Sequence, residues 1–143
     1  KVAGVRWVEA DVRAVPPALA RRFDLVVSTG AFGHVTRPEQ PAFLEAVASL
    51  LRPGGTFGFV TGPRPPLLSL PGAAMRGFNA ILAIRNRLWK PEFIMDYLNF
   101  CWPEIAPMLD AAGFEVDVVP LAIERRTSLV VVRASLRPAR DTR

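Results

Sequence analysis

The stretch Arg22–Val35, RFDLVVSTGAFGHV, decides the fold that we expect for this chain. Its first part, Phe23–Ser28, is apolar apart from Asp24 and the closing serine, which predicts a short β-strand. A strand that is apolar on both sides belongs in the middle of a sheet with helices on both faces. In open α/β sheets, ligands bind just outside the carboxyl ends of the strands. The small-residue turn Ser28–His34 is therefore where we first expect a binding site.

The following segments continue an α/β pattern. Thr36 and Glu39 have the spacing of a capping box, and apolar residues then recur at helical spacing. The sequence Pro53-Gly54-Gly55 predicts the end of that helix. Thr56–Thr61 predicts a second central strand. Strand, helix and strand in this order indicate a right-handed crossover in a parallel sheet.

The two ends of the chain carry further elements. Val5–Ala10 alternates apolar and polar residues and is followed by Asp11, which predicts a strand with an acid at its carboxyl end. A helix is expected from Pro103 to about residue 112. Phe114–Leu121 and Ser128–Ala134 predict two strands joined as a hairpin. From about residue 135 we expect a disordered basic tail.

Residues 62–102 interrupt this pattern with a helical, apolar insertion. After a proline-rich loop, the sequence predicts one helix over Ala73–Lys90 and a short second one over Pro91–Phe100. The large apolar side chains of the insertion have two interpretations. They form a lid or wall for an apolar or amphipathic small molecule, or they pack on the sheet and on a partner subunit. The cations of the insertion would hold an acidic group on that molecule or rest against an anionic membrane surface; they are Arg64, Arg76, Arg85, Arg87 and Lys90.

Composition limits the classes of protein that we consider. The 143 residues suffice for one domain, and 50% hydrophobic and 22% charged residues indicate a globular chain. One cysteine, Cys101, excludes an internal disulfide, and with a single histidine we expect no metal site. No apolar run reaches the length of a membrane span, and the start has no signal-peptide pattern, so we expect a cytoplasmic protein. The net charge of +5 is interpreted as a solvated surface and tail.

In this order, the segments resemble the later part of a class I S-adenosylmethionine-dependent methyltransferase. The resemblance is carried by VRWVEADV, FDLVVSTGAFGHV, LEAVASLLRPGGTFGFVT, and MLDAAGFEVDVVPL followed by TSLVVVRA. It implies a Rossmann-like, doubly wound α/β sheet with an antiparallel C-terminal strand pair, and S-adenosylmethionine as cofactor. The family's first strands and its glycine-rich first loop have no counterpart in residues 1–143. We therefore expect a partial domain that binds the cofactor poorly when isolated.

The resemblance also implies which residues bind the cofactor. Asp11 would accept a hydrogen bond from the adenine amino group, with the Val12 N–H offered to the ring; the alternative is a turn acid. The backbone carbonyls of residues 28–30 would receive the ammonium group of the cofactor; the alternative is an ordinary strand-to-helix turn. Phe32 is either a wall of the cofactor pocket or a core residue. The residues expected in this loop are thus Ser28, Thr29, Gly30 and Phe32.

His34 is the candidate catalytic residue. Imidazole titrates near neutral pH, so it is suited to remove a proton from an acceptor oxygen or nitrogen, or to position that acceptor. Methyl transfer needs mainly an in-line approach to an activated methyl group, so positioning alone can suffice. The alternative is a histidine that helps to cap the following helix.

The function expected from the resemblance is transfer of a methyl group from S-adenosylmethionine to a small, hydrophobic acceptor. A nucleic-acid methyltransferase is one alternative, suggested by the basic charge. Against it, the sequence has no basic stripe interleaved with aromatic residues and no Asn/Asp-Pro-Pro-aromatic motif after the Phe23–Ser28 strand. A second alternative is a non-catalytic Rossmann-like assembly module, with the apolar insertion as the face of a homodimer.

Overall fold

The computed structural model describes residues 4–90, 98, 100–121 and 129–138. These residues form three α-helices and four strands, with short 3₁₀ turns between them. In chain order the helices and strands are β1 (Phe23–Ser28), α1 (Gln40–Leu50), β2 (Leu51–Thr61), α2 (Leu70–Trp89), α3 (Ala106–Ala111), β3 (Phe114–Pro120) and β4 (Val130–Leu136). The second helix expected in the insertion and the link between the last two strands lie outside the described residues.

The four strands form one mixed sheet in the order β1-β2-β4-β3. β1 and β2 are parallel and are joined through α1, which confirms the predicted crossover. β4 lies between β2 and β3 and is antiparallel to both. The expected Rossmann-like α/β sheet with an antiparallel C-terminal strand pair is therefore confirmed. The tail prediction began too early, since residues 135 and 136 pair with β3 as the last part of β4.

The core lies on one face of the sheet, beneath α1 and α3. Phe57 and Phe59 alternate along β2 with residues of the opposite face, and both are buried. α1 contributes Phe43, Leu44 and Val47 through its helical repeat. The remaining buried members of this cluster are Phe32, Leu51, Ile105, Leu109, Phe114, Val132 and Ala134. Because α1 connects β1 to β2, the packing of α1 on the core sets the positions of the carboxyl ends of these two strands.

The prediction that β1 is a central strand with helices on both faces is wrong for the described residues. β1 is the edge strand of the sheet. Val26 packs against the core, whereas Leu25 and Val27 face the other way and are 58% and 59% exposed. An all-apolar strand sequence indicates that both faces of the strand can be buried, but it does not specify which neighbouring elements bury them.

The strand predicted at residues 5–10 is also wrong. No strand of the described chain pairs with this segment, and its side chains are exposed, Trp7 to 79%. A strand exists through its ladder of hydrogen bonds to a neighbour, which an alternating sequence does not supply by itself. Residues 5–10 instead lie beside β1, where the two segments line an open groove of about 450 Å³.

The boundary between α1 and β2 differs from the prediction. The capping box is confirmed, since the backbone N–H and the Oγ1 of Thr36 donate to Glu39 Oε2 over 3.3 and 2.6 Å. The helix, however, ends at Leu50, before the Pro-Gly-Gly sequence. That sequence lies within β2, as a bulge at which Gly54 has a φ of 78°. Glycine accepts this left-handed conformation without the steric cost of a side chain.

The other two helices are confirmed with shifted starts. α2 begins earlier than expected, with Ser69 as its cap, whose Oγ accepts a hydrogen bond from Gly72 N over 3.1 Å. α3 begins three residues after Pro103 and is followed by Gly113 in a left-handed conformation. Among the described residues, no helix combines the length and the apolar character that crossing a membrane requires.

Candidate functional site

The loop after β1 is a hydrogen-bonded turn whose first residues are exposed. Gly30 has a φ of 88°, and a 3₁₀ turn, Ala31–His34, follows it. The buried Ser28 closes the loop, because its Oγ accepts a hydrogen bond from Phe32 N over 3.1 Å. Thr29 and Gly30 are exposed. The carboxyl end of β1 therefore presents main-chain groups to solvent from a fixed base.

Phe32 belongs to the core and not to the wall of an open pocket. Its side chain is 1% exposed. Its ring stacks on Phe43 with centroids 5.0 Å apart and meets Phe59 edge-on at 5.3 Å. The ring of Phe100 lies 5.9 Å away. Of the two interpretations of Phe32, the structure thus supports the core residue, which holds the loop in place from below.

Asp11 and Val12 lie on a separate turn. The backbone oxygen of Asp11 accepts a hydrogen bond from Ala14 N over 2.9 Å, which starts the 3₁₀ turn Val12–Ala14. This turn contacts α1, and the Val12 side chain packs against the core. Asp11 is exposed. The expectation that Asp11 ends a strand is wrong, since residues 5–10 are not a strand, and the turn beside α1 positions this carboxylate instead.

An apolar cavity of about 250 Å³ lies beside the carboxyl end of β2. The register pairs Ser28 with Phe59, so Thr61 lies at the same edge of the sheet as the loop after β1. Thr61 Oγ1 donates a hydrogen bond to the backbone oxygen of Phe100 over 2.6 Å. Residues that line the cavity include Val60, Thr61, Pro65, Met75, Leu98, Phe100, Cys101 and Leu129.

Sequence reasoning did not find this cavity as a site, although it expected the insertion to form a wall for a ligand. Its lining joins β2 and α2 to Leu98, Phe100 and Cys101, and Phe100 is about forty positions from β2 in the sequence. The available signal was the concentration of large apolar residues in the insertion. Their meeting point on β2 follows only from the tertiary structure.

An ion-pair cluster fixes the loop that follows β2. Glu104 pairs with Arg64 and, over 3.2 Å, with Arg37. Arg64 Nη2 also donates to the backbone oxygen of Leu98 over 2.9 Å. The hydrogen bond from Arg64, together with the nearby guanidinium charges, lowers the pKa of Glu104 below its ordinary value of 4.5. Arg64, expected to hold an acidic ligand group, is thus engaged with Glu104.

The structure therefore brings only some of the expected site residues together. Ser28, Thr29, Gly30, Phe32 and His34 share one loop, while Asp11 and Val12 are on the turn beside α1. His34 is exposed at the end of its 3₁₀ turn. The exposed residues of this set line neither the apolar cavity nor the groove beside β1; they are Asp11, Thr29, Gly30 and His34. In the described part of the chain, no three His, Cys, Asp or Glu side chains are grouped as metal ligands.

Comparison with known proteins identifies the fold. Residues 1–55 match the family model described as a methyltransferase domain. Among solved structures, a SAM-dependent methyltransferase from Methanosarcina mazei superposes with a TM-score of 0.59 at 17% identity, over 90% of this chain and 66% of that one. This is a class I methyltransferase fold. No curated protein matches the sequence.

Two further structures share the methyltransferase fold. The 1,6-didemethyltoxoflavin-N1-methyltransferase of Burkholderia thailandensis, with bound 1,6-didemethyltoxoflavin and S-adenosylhomocysteine, has a TM-score of 0.60 at 19% identity, over 92% of this chain and 51% of its own. An O-methyltransferase family protein from the same organism gives 0.53 at 17%, over 81% and 31%. The chain thus spans between 31% and 66% of the length of these three proteins. The matched residues 1–55 contain Asp11, Val12 and the loop after β1.

Proposed function

We propose that this chain is part of an enzyme that transfers a methyl group from S-adenosylmethionine to a small, hydrophobic acceptor. The observation that carries the proposal is the meeting of the loop after β1 with the apolar cavity. A Cβ on Gly33 would lie only 2.6 Å from the ring of Phe100, and that ring lines the cavity. A polar loop and an apolar cavity at one sheet edge are what a cofactor and an apolar acceptor need.

The residues of the loop fit the ammonium end of the cofactor. An ammonium group needs acceptor oxygens and little bulk around them. Thr29 and Gly30 are exposed, and nothing lies within 4 Å of where a Cβ on Gly30 would be. The Gly30 oxygen accepts one hydrogen bond, from Gly33 N over 3.1 Å, and a carbonyl oxygen has a second lone pair for another donor. Asp11 adds an exposed carboxylate, which can accept a hydrogen bond from an adenine amino group. These features support cofactor binding by Thr29, Gly30 and Asp11, while the resemblance alone implies Val12 and Ser28 as further cofactor contacts.

Methyl transfer requires the protein mainly to position the acceptor against the cofactor. S-adenosylmethionine, when bound, supplies a methyl group that its positive sulfur has already activated. The acceptor must then be held in line with that methyl group, which is a task of orientation. His34, exposed on the same loop, is suited to take the proton from an acceptor oxygen or nitrogen, or to hold that atom by a hydrogen bond.

The apolar cavity favours a small acceptor. Its volume of about 250 Å³ lies just below the range of about 300–1,000 Å³ typical of pockets for drug-sized ligands. Its lining is dominated by aliphatic and aromatic side chains with one hydroxyl, that of Thr61. The 1,6-didemethyltoxoflavin-N1-methyltransferase, which shares the fold, binds the small molecule 1,6-didemethyltoxoflavin. The buried thiol of Cys101, with no second cysteine in the chain, suits a reducing cytoplasm.

Calorimetric titration of the full-length protein with S-adenosylmethionine tests the cofactor assignment. We expect binding, and we expect Asp11→Asn to weaken it about tenfold, because a hydrogen bond to a charged group contributes about 1.5–3 kcal/mol. Asp117→Asn is the matched control, since Asp117 pairs with Arg133 on β3 and β4. Absence of any heat of binding would leave a non-catalytic assembly module as the better explanation.

A further inference from the structure

The excess of positive over negative charge in this protein comes from one part of the chain. Between Glu45 and Glu92, residues 46–91 contain six Lys and Arg and no Asp or Glu. The rest of the chain has twelve cations and thirteen acids, so the whole net charge of +5 comes from residues 46–91. Three of the six cations, Arg85, Arg87 and Lys90, lie at the C-terminal end of α2.

α2 carries an exposed apolar stripe. Ile81, Ile84 and Leu88 are spaced by three and four residues, so they share one side of the helix. They are 64%, 59% and 68% exposed. Leu70, 88% exposed, lies on the same side about three helical turns earlier, and Trp89, 74% exposed, adjoins the stripe at the end of the helix. Single exposed apolar side chains are normal on a protein surface, whereas these side chains lie together on one side of a helix.

A different side of α2 faces the rest of the protein. Leu82 is buried, and Met75 lines the apolar cavity beside β2. Leu82 follows Met75 by seven residues, and both project away from the exposed stripe. The stripe is therefore not the face by which α2 is attached to the fold.

We propose that α2 lies in the surface of an anionic lipid bilayer, with its exposed apolar stripe in the acyl boundary and its C-terminal cations at the headgroups. α2 shares features of a helix in the interface plane, with leucine and isoleucine exposed on one side and no acidic residue. Arg85, four residues after Ile81 and three before Leu88, borders the stripe, where its long side chain can reach the headgroups. Each cation near an anionic surface contributes about 1 kcal/mol. This attachment is independent of the proposed methyl transfer.

A second copy of the chain is the competing occupant of the stripe. A second α2 helix packed on the stripe would cover Arg85, which borders it, and would offer no acidic side chain to pair with that guanidinium. Covering a charge without a partner is unfavourable. An anionic lipid surface supplies the missing negative charge, so charge complementarity favours the bilayer.

Vesicle binding tests this proposal. The full-length protein is sedimented with vesicles of phosphatidylcholine alone and with vesicles that also contain phosphatidylglycerol. We expect binding only to the anionic vesicles, weakened by salt. Arg85→Gln with Arg87→Gln should weaken binding about thirtyfold, from about 1 kcal/mol for each cation. The control pair Arg6→Gln with Arg22→Gln removes the same charge from exposed sites elsewhere and should change binding far less.

The apolar contribution has its own variants. Ile81→Ser with Leu88→Ser should reduce binding at least about tenfold, whereas Val119→Ser, on the exposed face of β3, should not. Vesicles should shift the tryptophan emission to the blue, and Trp89→Phe should abolish that shift although Trp7 and Trp102 remain. Equal binding to both vesicle types overturns the proposal. A second result would also overturn it. In that result anionic vesicles do not bind the protein, and sedimentation velocity shows a stable dimer that the Ile81→Ser with Leu88→Ser variant dissociates.

Discussion

Gly33 packs against the ring of Phe100 so closely that the position leaves no room for a side chain. A Cβ on Gly33 would lie 2.6 Å from Phe100 Cε1, closer than non-bonded carbon atoms approach each other. Gly33 is part of the turn after β1, and Phe100 lines the apolar cavity beside β2. A change in either is therefore transmitted to the other, and the loop and the cavity form one unit.

Gly33→Ala should displace the Phe100 ring and reshape the apolar cavity. We expect a loss of unfolding free energy of about 1 kcal/mol, at the low end of overpacking effects, because a ring edge can move. The KM for the acceptor should rise more than kcat falls. Gly58→Ala is the control, because a Cβ there meets nothing within 4 Å. Denaturant titration and steady-state kinetics of both variants measure this, and equal effects would contradict the coupling.

Ser28→Ala should loosen the loop after β1. The buried hydroxyl accepts the hydrogen bond from Phe32 N, and its removal leaves a buried N–H without that partner. We expect a loss of about 1–2 kcal/mol in unfolding free energy and weaker cofactor binding. Ser49→Ala removes an exposed hydroxyl that donates to Ala46 O and should cost much less. A Ser28 variant as stable as the Ser49 variant would show that this hydrogen bond does not hold the loop.

Glu104 should make stability depend on pH in the acidic range. Hydrogen bonds from Arg64 and Arg37 lower its pKa below 4.5 in the folded protein. Its contribution is therefore present above that value and is lost as the pH falls through the lowered pKa. Because Glu104 is 39% exposed, we expect Glu104→Gln to cost no more than about 1 kcal/mol near neutral pH.

Denaturation of the Glu104→Gln variant and of the unchanged protein at several pH values checks this expectation. The difference between them should shrink at low pH, where Glu104 is protonated. Glu45→Gln, on the exposed side of α1, is the control. A difference that stays constant down to the lowest pH would show that the ion pairs with Arg64 and Arg37 do not stabilise the fold.

The elements that the sequence predicted well are those with a local cause. A capping box starts the 3₁₀ turn Arg37–Glu39 that leads into α1, β1 is a dense apolar run, and Gly113 follows α3 where a left-handed residue is needed. Each of these signals involves residues only a few positions apart, so the amino-acid sequence alone reveals them. The α/β class follows from their alternation.

The failures share a different cause, which is dependence on partners distant in the sequence. Residues 5–10 alternate as a strand does, yet a ladder needs a neighbour that alternation cannot specify. The sequence around Phe32 fits a pocket wall or a core residue, and only its ring contacts with Phe43, Phe59 and Phe100 assign it to the core. The apolar cavity joins segments about forty residues apart. Long-range packing of this kind has no local signature.

His34 is the residue whose substitution decides how the proposed transfer works. If it removes a proton from the acceptor, His34→Ala should lower kcat at saturating acceptor about a hundredfold or more and remove one limb of the pH–rate profile. His34→Gln keeps a hydrogen-bonding group that does not titrate. If His34→Gln restores kcat and its pH–rate profile is flat, His34 positions the acceptor and does not remove its proton. Glu45→Gln serves as the control for a surface substitution, and an unchanged kcat in both His34 variants would exclude this side chain from the reaction.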